Sequence, residues 1–177
     1  LGATMTCDSA HKTLPVLTGG AYLHIAKDAD PYFVENARIA LASFASTSPS
    51  YLILSSLDLC NAYLDEQGKA EFAACAKRVS DLKTYLTSLG FTFFGNESLK
   101  LCIYAPDFGY FGYELAALLS DCKIECEFAD SDYLVLMFSP ANTASDFERV
   151  EKAFGEIPRK ESKIMPKTPA PILSERR

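Results

Sequence analysis

The feature that most constrains the fold is a change in apolar periodicity near Gly90. Before it, residues 69–89 carry apolar side chains at helical spacing, and a glycine commonly ends such a helix. After it, short apolar runs at 91–94 and 99–104 have strand character, and a helix is predicted after Gly112. Helices and strands in this order bury their apolar faces as a layer of helices on a sheet. The pattern therefore predicts an α/β fold.

The second half of the chain has enough predicted elements to form a small domain. Strands are predicted at 125–128 and 133–138, and the latter is apolar throughout, as expected of a central strand. Asn142-Thr143 then caps a last helix. We predict a small α/β domain at 67–157 of βαββα or ββαββα order, followed by a tail at 158–177 that is rich in proline and charge. The apolar positions predicted to face its core are Phe72, Cys75, Val79, Leu82, Leu86 and Leu89, then Leu115, Leu118, Leu119 and Cys122, then Phe147, Val150 and Phe154.

The first part of the chain has the character of the end of a larger domain, which we place at 1–66. It contains predicted strands at 3–8 and 21–25. A helix should begin at Asp30-Pro31, where a carboxylate cap precedes a proline at the first helical position. Phe33, Ala37, Leu41 and Phe44 recur on it at helical spacing, and a second helix should span about 50–65.

Composition excludes several functional classes. The net charge is −6, and no basic patch suitable for nucleic-acid phosphates is visible. The six cysteines form no CxxC pair, and with two histidines they do not make a zinc site, so we expect no metal. We expect the cysteines to be buried free thiols, which are typical of a reducing compartment, and we therefore expect a cytoplasmic protein. No apolar run approaches the roughly 20 residues needed to span a bilayer.

The start of the chain suggests a fragment. There is no initiating Met, no signal peptide pattern, and the chain opens inside a predicted strand. We therefore expect a piece of a longer protein.

The segment with the most reactive groups follows the first predicted strand. Ser9, His11, Lys12 and Thr13 place two hydroxyls, an imidazole and an amine within five residues. A lysine at a strand end can attack a carbonyl if its amine is kept neutral, and its neighbours can bind a phosphate. A lysine in such a position can equally be an ordinary solvated loop residue, and spacing alone does not choose.

The segment Ser9-Ala10-His11-Lys12-Thr13-Leu14-Pro15, with the following residues 17–24, resembles the cofactor-lysine segment of the ornithine/lysine/arginine decarboxylase family. Weaker similarity continues at residues 46–51 and 109–116, in order and at family spacing. The resemblance implies the aspartate-aminotransferase fold type, with the end of its large cofactor-binding domain followed by a small C-terminal α/β domain. It also implies pyridoxal 5'-phosphate as cofactor and decarboxylation of ornithine, lysine or arginine.

The resemblance assigns roles residue by residue. Lys12 would bind the cofactor as a Schiff base, and His11 and Ser9 would contact its phosphate. Thr47 and Ser48 would reach the phosphate of a neighbouring subunit, so the partner would be another copy of the chain in a homodimer or higher homo-oligomer with a shared site. Thr47 and Ser48 could instead, or in addition, cap the helix that follows Pro49.

Some expected parts of the family's site are absent from this chain. The family places the Asp that protonates the pyridine nitrogen, and a ring-stacking His, before the lysine segment. We therefore expect weak or no activity from the isolated chain. Two alternatives stay open: another enzyme of the same fold, such as an aminotransferase or carbon–sulfur lyase, and a non-catalytic folding or dimerisation module.

Several other polar and aromatic residues are more simply explained by structure than by catalysis. His24 is expected to be a packed or edge residue of its strand. Asp58 and Asp65 are expected to be solvated or to cap a helix. Tyr110 and Tyr113, with Phe111, could line a substrate path, although core packing is the commoner use of such a cluster.

Overall fold

A computed structural model describes residues 2–163 of the chain. The chain divides into two compact units, Leu1–Ala70 and Glu71–Arg177. The first unit contains a β-hairpin and two helices, and the second contains a sheet covered by helices. The α/β class predicted from the sequence is confirmed, while the predicted domain limits at 66 and 157 remain predictions.

The first unit begins with a hairpin. Strand β1 (Met5–Asp8) pairs antiparallel with β2 (Tyr22–Ile25) in a two-stranded sheet. Both strands are shorter than the predicted 3–8 and 21–25. The connection between them runs through a 3-10 turn at Ala10–Lys12, which places the chemically interesting segment outside the ladder.

Helix α1 (Pro31–Phe44) starts as the sequence predicts but lacks the buried face expected of it. The Oδ1 atom of Asp30 accepts a 2.9 Å hydrogen bond from the Tyr32 amide, and Pro31 is the first helical residue. No residue of α1 is buried, and Phe44 is 91% exposed. The apolar stripe is present, but among residues 2–70 no part of the unit buries it.

Helix α2 (Tyr51–Tyr63) does not stop where the sequence suggested. It passes through a π-helical turn at Leu64–Gly68 directly into α3 (Lys69–Ser88). The predicted boundary between residues 66 and 67 thus lies inside continuous helical backbone. Helix α3 ends at Ser88, and Gly90, whose φ of +99° suits a residue without Cβ, lies in the turn that follows, as predicted.

The second unit has the ββαββα order that was one of the two predicted. Its elements are β3 (Thr92–Phe94), β4 (Lys100–Tyr104), α4 (Gly112–Asp121), β5 (Phe128–Ala129), β6 (Tyr133–Met137) and α5 (Ala144–Glu156). The sheet order is β3-β4-β6-β5, and every neighbouring pair is antiparallel. Strand β6 is therefore internal, as its apolar sequence predicted.

The strand predicted at 125–128 is wrong over most of its length. After α4 the chain turns at Lys123, whose φ is +63°, and the Ile124 amide returns to the Leu119 carbonyl at 3.0 Å. Residues 125–127, where the strand was expected to begin, follow this turn without strand structure. Only Phe128 and Ala129 pair with β6.

The core of the second unit lies between one face of the sheet and its helices. Alternate residues of β4 and β6 are buried, namely Leu101, Ile103, Leu134 and Leu136. Most of the apolar positions predicted for α3 and α5 are confirmed by the burial of Cys75, Val79, Leu82, Leu86, Phe147, Val150 and Phe154, whereas Phe72 and Leu89 are only half-buried. On α4 the buried face is narrower than predicted, because Leu115 and Leu119 are fully buried while Leu118 is 39% exposed.

Residues 157–163, here named the C-terminal strap, follow α5 and lie along the loop that joins β4 to α4. The amides of Lys160 and Lys163 donate to the carbonyls of Phe108 (3.2 Å) and Pro106 (2.9 Å). The Lys163 ammonium also lies 3.0 Å from Glu114 Oε2 and 3.6 Å from the Phe111 ring centroid. The predicted tail of 158–177 is described only to residue 163; the remainder lies outside the described residues.

Candidate active site

The candidate site is the turn that leaves β1. The Lys12 amide donates to the Ser9 carbonyl at 3.2 Å, and the amides of Thr13 and Leu14 donate to the Ala10 carbonyl at 3.2 and 2.8 Å. Ala10 is 4% exposed and anchors the turn. The tight backbone carries Ser9, His11 and Lys12 together at the end of the strand.

His11 is held by the backbone on the far side of the same loop. Its Nδ1 atom lies 3.0 Å from the carbonyl oxygen of Gly20, and its backbone amide donates to the same oxygen at 3.4 Å. Gly20 is buried, and a Cβ there would lie 2.3 Å from Cγ1 of Val16. The two ends of the loop are therefore closed on each other through His11 and Gly20.

Ser9 and Lys12 have exposed side chains. Within residues 2–163, neither the Ser9 hydroxyl nor the Lys12 ammonium forms a hydrogen bond or an ion pair. A free hydroxyl, a free amine and a positioned imidazole on one turn provide donors for a phosphate and a nucleophile for a carbonyl.

Thr47 and Ser48 lie in the exposed connection between α1 and α2. In the described part of the chain, no hydrogen bond or ion pair links them to Ser9, His11 or Lys12. The expectation that they cap the following helix is wrong, because Ser50 is the cap and its Oγ accepts from the Ile53 amide at 3.5 Å. Their role toward a neighbouring subunit stays a prediction.

Sequence reasoning missed the residues that fix the loop from behind. Gly20 was recognised only as a strand breaker, although a buried glycine can also mark a close approach. The Tyr22 hydroxyl donates to Asn61 Oδ1 at 2.9 Å and to the Leu57 carbonyl at 3.1 Å. Burial raises the pKa of Tyr22, so its hydroxyl remains a donor at neutral pH. These bonds tie the strand after Gly20 to α2.

Other candidate polar residues do not join this site. His24 is an exposed residue of the two-stranded sheet, 3.6 Å from Asp8, as expected of an edge histidine. Asp65 is exposed and 3.9 Å from Lys69. Tyr110 is 3% exposed and belongs to the core of the second unit, which confirms packing as its role, whereas Tyr113 is 53% exposed.

The cysteines and the acidic residues add no second site. All six cysteines are free thiols, although the expectation that they are buried is wrong for Cys7, which is exposed. Among residues 2–163, no group of three or more His, Cys, Asp or Glu side chains is arranged to hold a metal ion. No helix in the same range is long and apolar enough to cross a membrane.

Fold and turn together define an α/β chain with a lysine presented just after a strand. Residues 2–103 match the Orn/Lys/Arg decarboxylase major domain, a stretch of more than half the chain that includes this turn. The chain belongs to the Orn/Lys/Arg decarboxylase family, and the predicted family is thereby confirmed.

Two curated relatives from Bacillus subtilis are similar over most of this chain. One is the protein YaaO, which bears the description "uncharacterized" and is 33% identical over 150 residues, covering 77% of this chain and 30% of YaaO. The other is an arginine decarboxylase, 26% identical over 171 residues, covering 88% of this chain and 34% of the enzyme. The chain thus spans about a third of the length of these relatives.

Two solved structures share the fold. The constitutive lysine decarboxylase of E. coli superposes with a TM-score of 0.70 at 18% identity, over 86% of this chain and 28% of that enzyme. The lysine decarboxylase of Francisella novicida gives a TM-score of 0.69 at 20% identity, over 85% and 27% of the respective chains. At these identities the likeness is one of fold.

Proposed function

We propose that this chain is part of a pyridoxal-phosphate-dependent lyase that decarboxylates a basic amino acid, with Lys12 as the cofactor lysine. The observation that carries the proposal is the Ser9-to-Lys12 turn, which lies within the segment matched to the family. Its lysine amine is exposed and has no partner within residues 2–163. That is the state required of a group that must reach a cofactor aldehyde.

The donors on the turn fit the chemistry of the cofactor. A phosphate needs hydrogen-bond donors, which the Ser9 hydroxyl and the His11 ring can supply, while the Lys12 amine suits the aldehyde. Thr47 and Ser48 are proposed to serve the phosphate of a neighbouring subunit. When bound, pyridoxal phosphate supplies an electron-accepting ring that stabilises the charge left at the α-carbon as carbon dioxide departs.

The chain's own residues have two tasks in this proposal. Lys12 Nζ would hold the cofactor through its aldehyde. Ser9 and His11 would hold its phosphate end and so keep it in one orientation. The rigid turn, closed by the bonds between His11 and Gly20, supports that positioning.

The activity of the whole enzyme extends the proposal beyond this chain. Because the chain covers about a third of its curated relatives, the substrate, which we propose to be ornithine, lysine or arginine, would also meet residues outside it. We further propose a homodimer with a shared site, and a cytoplasmic location. Carbon dioxide release by a longer protein that contains this chain would distinguish decarboxylation from transamination or carbon–sulfur cleavage.

Borohydride trapping tests the assignment of Lys12. The chain is incubated with pyridoxal 5'-phosphate, reduced, digested and mapped by mass spectrometry. We expect the pyridoxyl mass mainly on the peptide that contains Lys12, and its loss in Lys12→Ala. Lys27→Ala removes another exposed lysine just after β2 and should leave the label unchanged. A label spread evenly over surface lysines would contradict the assignment.

A second candidate function is a folding or dimerisation module without catalysis. It is favoured by the exposed apolar side chains of α1 and α2, among them Phe44 (91% exposed) and Tyr51 (83%). Contiguous exposed apolar surface commonly marks an interface. Sedimentation of the chain and of a Phe44→Ser/Tyr51→Ser variant would test it, since self-association by this surface should weaken in the variant.

A further inference from the structure

The hydrogen bond between His11 and Gly20 determines which ring nitrogen carries the proton. A backbone carbonyl can only accept a hydrogen bond, so the Nδ1 atom that lies 3.0 Å from it must be the protonated one. In a neutral imidazole only one nitrogen carries a proton. The neutral ring of His11 therefore presents Nε2 as a bare lone pair, which is an acceptor.

That tautomer is the wrong one for a phosphate, whose oxygens also accept hydrogen bonds. Resting on the proposed function, we propose that His11 meets the cofactor phosphate as an imidazolium, through Nε2–H, while the Gly20 carbonyl holds Nδ1–H. Binding to a neutral ring then takes up one proton from solvent, which becomes the Nε2 proton. Gly20 is the positioning residue, and it acts through its backbone oxygen.

The Gly20 carbonyl is well fixed for this task. The Gly20 amide donates to the Leu17 carbonyl at 3.0 Å, and an added Cβ would meet Val16 at 2.3 Å and Leu57 of α2 at 3.4 Å. Two residues later, Tyr22 is bonded to α2 through its hydroxyl. The Gly20–Ala21 peptide, which carries this oxygen, is thus held between the Gly20 amide bond on one side and the Tyr22 hydroxyl bonds on the other, and its rotation would break both bonds from His11.

Several titratable groups lie on the turn of His11 and on the elements packed against it. They are Cys7 and Asp8 of β1, Lys12 of the turn, Tyr22 and His24 of β2, and Tyr51, Asp58, Cys60 and Tyr63 of α2. Asp8 accepts from Thr6 at 2.9 Å and lies 3.6 Å from His24. No carboxylate within residues 2–163 forms an ion pair with His11. The phosphate would therefore be the counter-ion of the imidazolium.

Nitrogen NMR of the two histidines tests both parts of the proposal. The chain is labelled with 15N-histidine, and His24→Gln assigns the remaining signals to His11. At about pH 8, where most histidines are neutral, we expect His11 to be protonated at Nδ1 alone. Added pyridoxal 5'-phosphate should give a doubly protonated ring, whereas pyridoxal, which lacks the phosphate, should not. A free ring protonated at Nε2 alone, or a bound ring that stays neutral, would overturn the proposal.

The pH dependence of cofactor affinity gives an independent readout. Because binding to the neutral ring takes up one proton, cofactor affinity should fall as pH rises, by up to roughly tenfold per pH unit. This added dependence should vanish in His11→Gln and persist in His24→Gln, and both are compared with wild type. If borohydride labels Lys12 but the dependence is the same in all three proteins, this inference fails and the proposed function stands. If Lys12 is not labelled, the proposed function itself fails.

Discussion

The hydroxyl of Tyr110 donates a 2.8 Å hydrogen bond to the carbonyl oxygen of Pro158, a residue 48 positions further along the chain. Tyr110 is 3% exposed and packs in the core of the second unit, so this bond satisfies a donor that water does not reach freely. The bond also anchors the C-terminal strap to the loop before α4. Tyr110, one of the three aromatic residues considered for a substrate path, is thus a structural anchor.

Replacement of Tyr110 by Phe should loosen the strap. Loss of the hydrogen bond leaves the Pro158 carbonyl without this donor and should cost about 1 kcal/mol of stability. Hydrogen exchange should become faster at the amides of Lys160 and Lys163, which bond to the same loop. Tyr113→Phe is the matched control, because Tyr113 is 53% exposed. Equal exchange in both variants would argue against an anchoring role.

Gly112→Ala should strongly destabilise the second unit. A Cβ at Gly112 would lie 2.1 Å from the backbone oxygen of Tyr133, so α4 or β6 would have to move. Overpacking of this kind typically costs about 1–3 kcal/mol, measured as a lower urea midpoint. Gly155→Ala in α5 meets only the Tyr85 hydroxyl at 3.1 Å and should be tolerated. Similar midpoints for the two variants would contradict the close approach.

Asp146 should make the stability of the second unit sensitive to acid. Hydrogen bonds from the Thr143 amide (2.8 Å) and hydroxyl (2.9 Å) lower the pKa of Asp146 below its usual 3.8. Since the folded-state pKa is depressed, the stabilisation is complete above the unfolded value and is lost as pH falls through the folded one. Between about pH 5 and 3, the range in which carboxylates usually titrate, wild type should lose stability against urea. This loss should be smaller in Asp146→Asn. Glu148→Gln, on the exposed face of α5, should leave that loss unchanged.

The six thiols should differ widely in reactivity. Burial is the main cause that raises the pKa of Cys126, to about 11, so at pH 8 roughly a thousandth of it is thiolate. Cys60 and Cys75 are buried, whereas Cys7 is exposed on β1. We expect a thiol reagent to modify Cys7 first, and Cys7→Ser to abolish the fast phase. Cys126→Ser should retain it; loss of the fast phase there would contradict this order.

Features set by neighbours in the chain could be predicted from the sequence. The Asp30-Pro31 helix start and the Gly90 helix end depend on residues within one turn, and both are observed. The buried stripe of α3 follows from apolar residues repeated at helical spacing over 20 residues. The family could also be predicted from the sequence, because Ser9, His11 and Lys12 lie within one short segment of the chain.

Features that need distant partners could not be predicted. The strand predicted at 125–128 is observed only at Phe128–Ala129, after a turn in which the Ile124 amide bonds back to the Leu119 carbonyl. Leu118 shares the apolar character of Leu115 and Leu119, yet only those two are buried against the rest of the second unit. The exposure of Cys7 likewise depends on which residues cover β1, and the amino-acid composition does not predict them.

At the candidate site too, some features depend on neighbours in the chain and others depend on distant residues. The sequence by itself determined that an amine, an imidazole and a hydroxyl share one turn, since their adjacency is covalent. Only the tertiary structure decided that the His11 ring is held by the Gly20 carbonyl across the loop. It did so because the packing of Gly20 against Val16 and Leu57 orients a backbone oxygen, and no residue pattern encodes that direction locally.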